Sequence, residues 1–296
     1  MPYNDKQYDA ADPFLRGGDD NIVDVWDKKR IQVYDLYENI YINSIETLKI
    51  QLRGDDSVPL LMPSGRKIVE ATNRFLGVKF DYLVESDQGD EATRQAVDAW
   101  MADWFKREAV RAVFGRSKRW GLIRGDAMLY VHADPNKKQG ERISITELDP
   151  RQVFLIEDGD KVIGVHLVEI IQDFRSPDDD SKKLARRRTF RKTRDDNGQF
   201  TGEVTSELTH WESDKWDDRN LKAEDMKQVV SADKDEEALP LEAPISQLPI
   251  YRWRNNPMQN TSFGTSLLAG FETLMYGINQ SLTDEDATMV FQGLGL

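Results

Sequence analysis

Apolar residues recur along this chain in two rhythms, and each change of rhythm marks a new element. From Ile22 to about Leu48, Val25, Trp26, Ile31, Tyr34, Leu36, Tyr37, Ile40 and Ile45 form a heavy, partly aromatic face at helical spacing. Asn39-Ile40-Tyr41-Ile42-Asn43 is where that helix is expected to break. Gly54-Asp55-Asp56-Ser57 is turn chemistry, and Ser64 is placed to cap a helix from Arg66 to about Leu76. Phe80 to Glu85 reads as a strand. Asp90 to Trp120 is a second long helical region, with Ala96, Val97, Trp100, Trp104, Val110, Val113 and Phe114 at helical steps.

The period then falls to two. Ala127 to His132 and Arg142 to Leu148 alternate as strands, and Asp149-Pro150 ends the second. Val153 to Ile156 and Val162 to Ile171 predict two more strands, turning at Glu157-Asp158-Gly159-Asp160. Helices followed by a small, mostly antiparallel sheet predict an α+β fold and not a doubly wound one.

Residues 175–243 change character. Lys182 to Arg194 holds eight basic residues and no acid, and a mostly acidic tract follows from Glu203 to Glu242. Thr205 to Trp216 is expected as a strand anchored by Trp211 and Trp216, and Asp233 to Leu239 as a flexible loop. Lys182, Lys183, Arg186, Arg187, Arg188 and Arg191 form a candidate patch for nucleic acid or another partner. The simpler reading is preferred, that the cluster is solvated or pairs with its acidic neighbour.

The last stretch organises the rest. Leu248 to Pro257 reads as a short strand ending in the turn Asn255-Asn256-Pro257. Phe263-Gly264-Thr265-Ser266 leads into one long helix to Val290, with Thr265 or Ser266 as N-cap. Leu267, Phe271, Leu274 and Ile278, with Leu268, Met275, Leu282 and Met289, make one broad apolar stripe. Gly270 and Gly277 lie seven apart, which on one helix is nearly the same face, and each weakens a helix interior by about 1 kcal/mol. Two readings stay open: an ordinary core helix, or a surface for a neighbouring subunit through Leu268, Gly270, Phe271, Met275, Gly277 and Leu282.

Composition narrows the functional classes. The 296 residues are 39% hydrophobic and 31% charged with a formal net charge of −13, which argues against salt-sensitive binding along a basic nucleic-acid groove but not against a conduit through which DNA slides. Absence of cysteine removes disulfides, thiolate zinc sites and a cysteine nucleophile. No apolar run approaches the ~18 residues of a membrane span. The start of the chain is too polar for a signal peptide, so a protein made in a cytoplasm is expected. The Asn-x-Ser triplets at Asn260 and Asn279 are read as chance matches.

Phosphate-loop, dinucleotide-turn, zinc-helix and nucleophile-elbow motifs are all missing. His132, His166 and His210 are scattered and read as structural. Asp126 and Asp149 read as turn residues, and the Arg-Gly-Asp triplets at Arg53 and Arg124 as weak matches. No catalytic residue, metal ligand or cofactor is expected.

Four stretches together resemble the portal proteins of tailed bacteriophages, the head-to-tail connectors. They are Tyr34-Asp35-Leu36-Tyr37-Glu38-Asn39, the segment Gly121 to Val131, the strand Ile143 to Phe154 with its Asp149-Pro150, and the passage from Pro249 through Ser266. The likeness lies in their order. It implies a helical wing over residues 22–257 with the charged excursion at 175–243, after a loose arm at 1–21. It further implies a long stem or wing-to-stem helix over 258–290 and the beginning of a clip at 291–296. Clip, returning stem helix, tunnel loop and crown would then lie in a longer chain of which this is the N-terminal part.

The resemblance also implies a non-enzymatic ring of about twelve copies at one capsid vertex of the virion, made in the host bacterial cytoplasm. Its expected partners are the major capsid protein, the terminase large subunit, a head-tail adaptor and double-stranded DNA passing without sequence specificity, with no membrane. Asn279, Gln280 and Thr283 become candidates to face the channel. The alternative from another class is a metal-dependent phage nuclease or head-maturation enzyme with an Asp/Glu cluster.

Overall fold

The structure, a computed structural model, describes residues 25–48, 50–52, 59–76, 91–133, 137–138, 140–158, 161–173, 175, 183–195, 197–212, 227–229, 247–257 and 263–293. The expectations for residues 1–21, Gly54 to Ser57, Phe80 to Glu85, Lys182, Trp216 and Asp233 to Leu239 fall outside these residues. The chain divides into two units. One is built from Gln32–Ala127 and Trp253–Leu296; the other from Met128–Arg252 with the start of the first helix, through Ile31.

In the first unit, α1 (Val25–Ile42) ends at the expected break. Asn43 takes φ 61°, a left-handed value that asparagine tolerates, and the Ser44 N–H bonds the Asn39 carbonyl at 2.8 Å. A single turn, α2 (Ile45–Leu48), follows. Helix α3 (Ser64–Phe75) starts earlier than expected. Pro63 holds the cap position, no side chain caps the helix, and Ser64 lies inside it.

The long helix expected over Asp90 to Trp120 is two helices, α4 (Glu91–Arg107) and α5 (Val110–Arg124). The break falls at Ala109, which takes φ 46° although no glycine or proline announces it. Buried Trp104, stacked on Trp100 at 6.2 Å, packs just before the break. Gly125, at φ 100°, then closes α5 by donating to the Gly121 carbonyl at 2.8 Å.

The C-terminal helix departs furthest from expectation. Helix α6 spans Glu272–Gly293, and neither Thr265 nor Ser266 caps it. Residues 267–270 form turns because their hydrogen bonds go elsewhere: the Leu267 N–H reaches the Leu122 carbonyl at 2.8 Å, and Ser266 Oγ accepts from the Leu268 N–H. Gly270 stands in that turn at φ 88°. The two glycines therefore do not share a helix face.

The core of this unit gathers Tyr37, Ile40, Leu48, Val69, Leu122, Ile123, Leu268 and Met275. Full burial of each large apolar side chain stabilises the fold by about 1.5–3 kcal/mol.

The second unit is built on strands. A three-stranded sheet has the order β2 (Ile143–Leu148), β1 (Asp126–Ala133), β8 (Ile250–Arg254), and β1 pairs with β2 antiparallel, Met128 opposite Leu148. A five-stranded antiparallel sheet runs in chain order: β3 (Val153–Asp158), β4 (Lys161–Gln172), β5 (Lys183–Arg194), β6 (Phe200–Glu212) and β7 (Lys227–Val229). The described residues of the charged excursion are thus largely sheet. Its basic stretch, β5, is the central strand, and both its faces are covered. Leu184, Ala185 and Phe190 are buried, with Phe190 in one cluster beside Val153, Val165, Leu167 and Val204, and Ala185 in another beside Phe154 and Val168. Arg30 from α1 secures this unit, donating to the Pro150 carbonyl at 2.6 Å and the Val153 carbonyl at 2.9 Å.

The α+β class is therefore observed: helices, a small three-stranded sheet, a larger antiparallel sheet, and a C-terminal helix.

Candidate functional site

Three of the four stretches singled out in the sequence meet in the first unit around Asp126. Gly125 ends α5 in the left-handed conformation, and this turn points the first residue of β1 inward, so that Asp126 is fully buried. Its carboxylate accepts from the Tyr34 hydroxyl at 2.5 Å and from the Gly264 N–H at 3.0 Å. Asp126 is an anchor rather than the turn residue expected.

The backbones interlock around it. The Asn255 N–H donates to the Gly125 carbonyl at 2.7 Å, the Thr265 N–H donates to the Asn255 carbonyl at 2.7 Å, and Asn255 Nδ2 donates to the Thr265 carbonyl at 2.8 Å. Ser266 Oγ donates to the Ile123 carbonyl at 2.5 Å. This closeness requires two glycines. A Cβ on Gly125 would meet the Gly264 carbonyl oxygen at 2.6 Å, and one on Gly264 would strike the Gly125 oxygen and meet the Asn255 oxygen at 2.6 Å. A third, Gly121, leaves its space to the Trp253 ring, which a Cβ would overlap.

Helix α1 supplies the third partner. Tyr34 and Glu38, one helical turn apart, reach opposite sides of the Gly125 turn. Glu38 accepts from buried Arg124 at 2.6 Å, and the Arg124 guanidinium lies 4.2 Å from the centre of the Trp120 ring. Tyr37 donates to Glu272, in the first turn of α6, at 2.6 Å. The assembly ties α1, the end of α5 and the entry to α6 into one joint. It orients backbone.

The other sequence candidates divide. Leu268 and Met275 are inside the core of their own unit and do not face a neighbour. Asn279 and Thr283 are buried too, which corrects the expectation that they face a channel. Asn279 Oδ1 accepts the Met62 N–H at 2.6 Å, and Thr283 Oγ1 accepts the Leu60 N–H at 3.1 Å, so both hold the extended stretch before α3 against α6. Gln280, half-buried, accepts from the Gln51 N–H at 2.9 Å. Phe271 and Gly270 are exposed, Gly277 and Leu282 half-buried, and a Cβ on either glycine would meet nothing within 4 Å.

The basic cluster is held within its own unit. Arg186 pairs with Glu169 on β4 at 2.6 Å, Arg188 donates to the Tyr130 hydroxyl at 3.2 Å, and buried Arg187 lies over the Trp211 ring. The pairing partner Glu169 precedes the cluster, whereas the expected acidic neighbours follow it. Lys183 is exposed and Arg191 half-buried. Among the histidines, buried His166 hydrogen-bonds Thr189 at 2.8 Å, His210 is buried, and His132 stacks on Tyr130. Asp149 accepts from the Arg151 N–H and caps a short 3-10 turn, as its place before Pro150 predicts.

Among the described residues no three His, Asp or Glu side chains converge as a metal site requires, and no helix is long and apolar enough to cross a membrane. Comparison of the chain with models of known protein families and with curated protein sequences finds no match.

Proposed function

We propose that this chain is the wing-forming part of a phage portal subunit: a structural element of a ring at one capsid vertex through which DNA is packaged and ejected. The observation that carries the reading is the Asp126 joint. Residues of three stretches that resemble the portal family in the sequence meet across 92 and 138 positions, Tyr34 and Gly264 both hydrogen-bonding Asp126. A joint made of backbone bonds, opposed glycines and a buried carboxylate suits a part that transmits force between a wing and the helix after it. It does not resemble a reaction centre.

On this reading α6 is the helix that leads toward the stem. The ring's partners are the capsid protein, the terminase large subunit, an adaptor, and duplex DNA in the channel. Electron microscopy of the purified chain tests the proposal: closed rings with an axial hole are expected. A monomer that degrades DNA when given magnesium would replace it with the metal-dependent nuclease.

A further inference from the structure

Strand β6 is thirteen residues long and pairs with β5 along its inner side, Thr205 opposite Arg191 and Thr209 opposite Arg187. On its outer side β7 meets only the last three residues, His210, Trp211 and Glu212. From Glu203 to Thr209 no strand among the described residues covers that side. Every second residue of a strand turns its N–H and C=O toward the side that lacks a neighbour, which makes an unpaired edge a template for another chain. The side-chain bonds nearby run inward instead. Thr193 Oγ1 donates to the Glu203 carbonyl at 2.9 Å and Thr205 Oγ1 to the Arg191 carbonyl at 3.2 Å, both between β5 and β6.

Alternation gives this edge two unlike rows. Val204, Ser206 and Leu208 share the core side: Val204 is buried in the cluster with Phe190, Val165 and Leu167, and the other two are half-buried. Glu203, Thr205 and Glu207 take the other side and are all exposed. Among the described residues neither carboxylate has an ion-pair partner, and residues 203–209 include no lysine, arginine or proline of the kind that closes an edge. The sequence after β7 does not suit the place. Carried on in the register that sets Val229 opposite His210, it would put Asp233 opposite Ser206 and Asp235 opposite Val204, on the core side. A second β6 paired about Thr205 would set Glu203 opposite Glu207, and like charges directly opposite oppose pairing.

We propose that the outer edge of β6, from Glu203 to Thr209, takes an extended basic segment of another protein as an added antiparallel strand. Lysine or arginine stands opposite Glu203 and Glu207, and small apolar residues stand opposite Val204, Ser206 and Leu208. Backbone bonds supply the attachment, and the two rows of side chains supply the selection. The same clash that turns away a second β6 reserves the edge for a cationic strand. The inference goes beyond the ring reading and does not depend on it.

The test uses three capped peptides on the whole chain: Thr-Val-Lys-Val-Thr-Val-Lys, the same with glutamate for lysine, and the lysine peptide with prolines at its central two positions. Binding is titrated at ~0.1 M salt, and amide exchange is followed over residues 203–209. In the free chain alternate amides there should exchange fast, and the lysine peptide should slow them. The glutamate peptide should bind about tenfold or more weakly, because two attractive cross-strand pairs become repulsive. The proline peptide keeps the charge but cannot extend a ladder, and should protect nothing. Glu203→Lys/Glu207→Lys should prefer the glutamate peptide; should that variant fold poorly, the three peptides on the wild type decide alone. Equal binding of the lysine and glutamate peptides, equal binding of the proline peptide, or protection confined to other residues overturns the proposal. So does a free chain in which no amide of residues 203–209 exchanges fast, since the edge is then already covered. Whether the chain forms rings decides the other reading and leaves each of these outcomes unchanged.

Discussion

Replacing Gly264 by alanine tests the joint directly. A Cβ there would strike the Gly125 carbonyl oxygen and lie 2.6 and 2.8 Å from the oxygen and nitrogen of Asn255. All three neighbours are backbone, so no side chain can swing away. To reach ordinary contact near 3.4 Å the Gly264 and Gly125 segments must separate by more than an ångström. That stretches the bonds from Asn255 to Gly125 and from Thr265 to Asn255, both 2.7 Å, and the Gly264 bond to buried Asp126. Overpacking alone costs about 1–3 kcal/mol. Leaving that buried bond unmade adds about 1–3 kcal/mol.

The expected destabilisation is therefore about 2–6 kcal/mol. Gly277→Ala is the control. It meets nothing within 4 Å in the middle of α6 and should stabilise by up to about 1 kcal/mol. Denaturant unfolding of both variants, with amide exchange followed over residues 253–268, gives the answer. A Gly264→Ala protein within about 0.5 kcal/mol of wild type, the ordinary range for a neutral surface change, would refute the steric argument.

Three further outcomes follow from other parts of the first unit. Glu38→Gln removes the carboxylate facing buried Arg124 and should cost near the lower end of ~3–5 kcal/mol, because Glu38 itself is 24% exposed; an unchanged unfolding midpoint contradicts the pair's role. Asn279→Ala deprives the Met62 N–H of its acceptor, for a loss of about 1–3 kcal/mol and faster amide exchange at residues 60–62. The Tyr41 phenol is held above its ordinary value of 10.0, chiefly by burial and then by its bond to Glu70. Its neutral form is the one the fold favours, so that contribution is complete below pH 10 and disappears as pH rises through the raised value. Tyr41→Phe should flatten the alkaline fall in stability, and spectroscopic titration should show one late-ionising tyrosine fewer in the variant than in the wild type.

Local pattern made much of the fold legible. The break at Asn43, the strands Asp126–Ala133 and Ile143–Leu148, and the cap at Asp149 all follow from nearby chemistry. The failures share one cause, which is that distant partners decided the outcome. Leu267 and Ser266 looked like a helix start, but they bond to Leu122 and Ile123 of α5 and delay α6 until Glu272. Asn279 and Thr283 looked like a polar face turned to water, but the stretch at residues 60–62 uses them as acceptors.

The basic run on β5 hid a central strand. Arginine side chains, long enough to cross onto Trp211, Tyr130 and Glu169, take positions where an apolar residue would have signalled burial. Asp126 was visible only as part of an Arg-Gly-Asp triplet. Its two partners lie 92 and 138 positions away, and no local spacing points to them.

The assembly state of the purified chain bears most directly on the proposed role. Mass measurement in solution, joined to negative-stain images of the same sample, should give a closed ring of about twelve copies with a central opening. A single compact species of 34.1 kDa at every concentration and salt would contradict it.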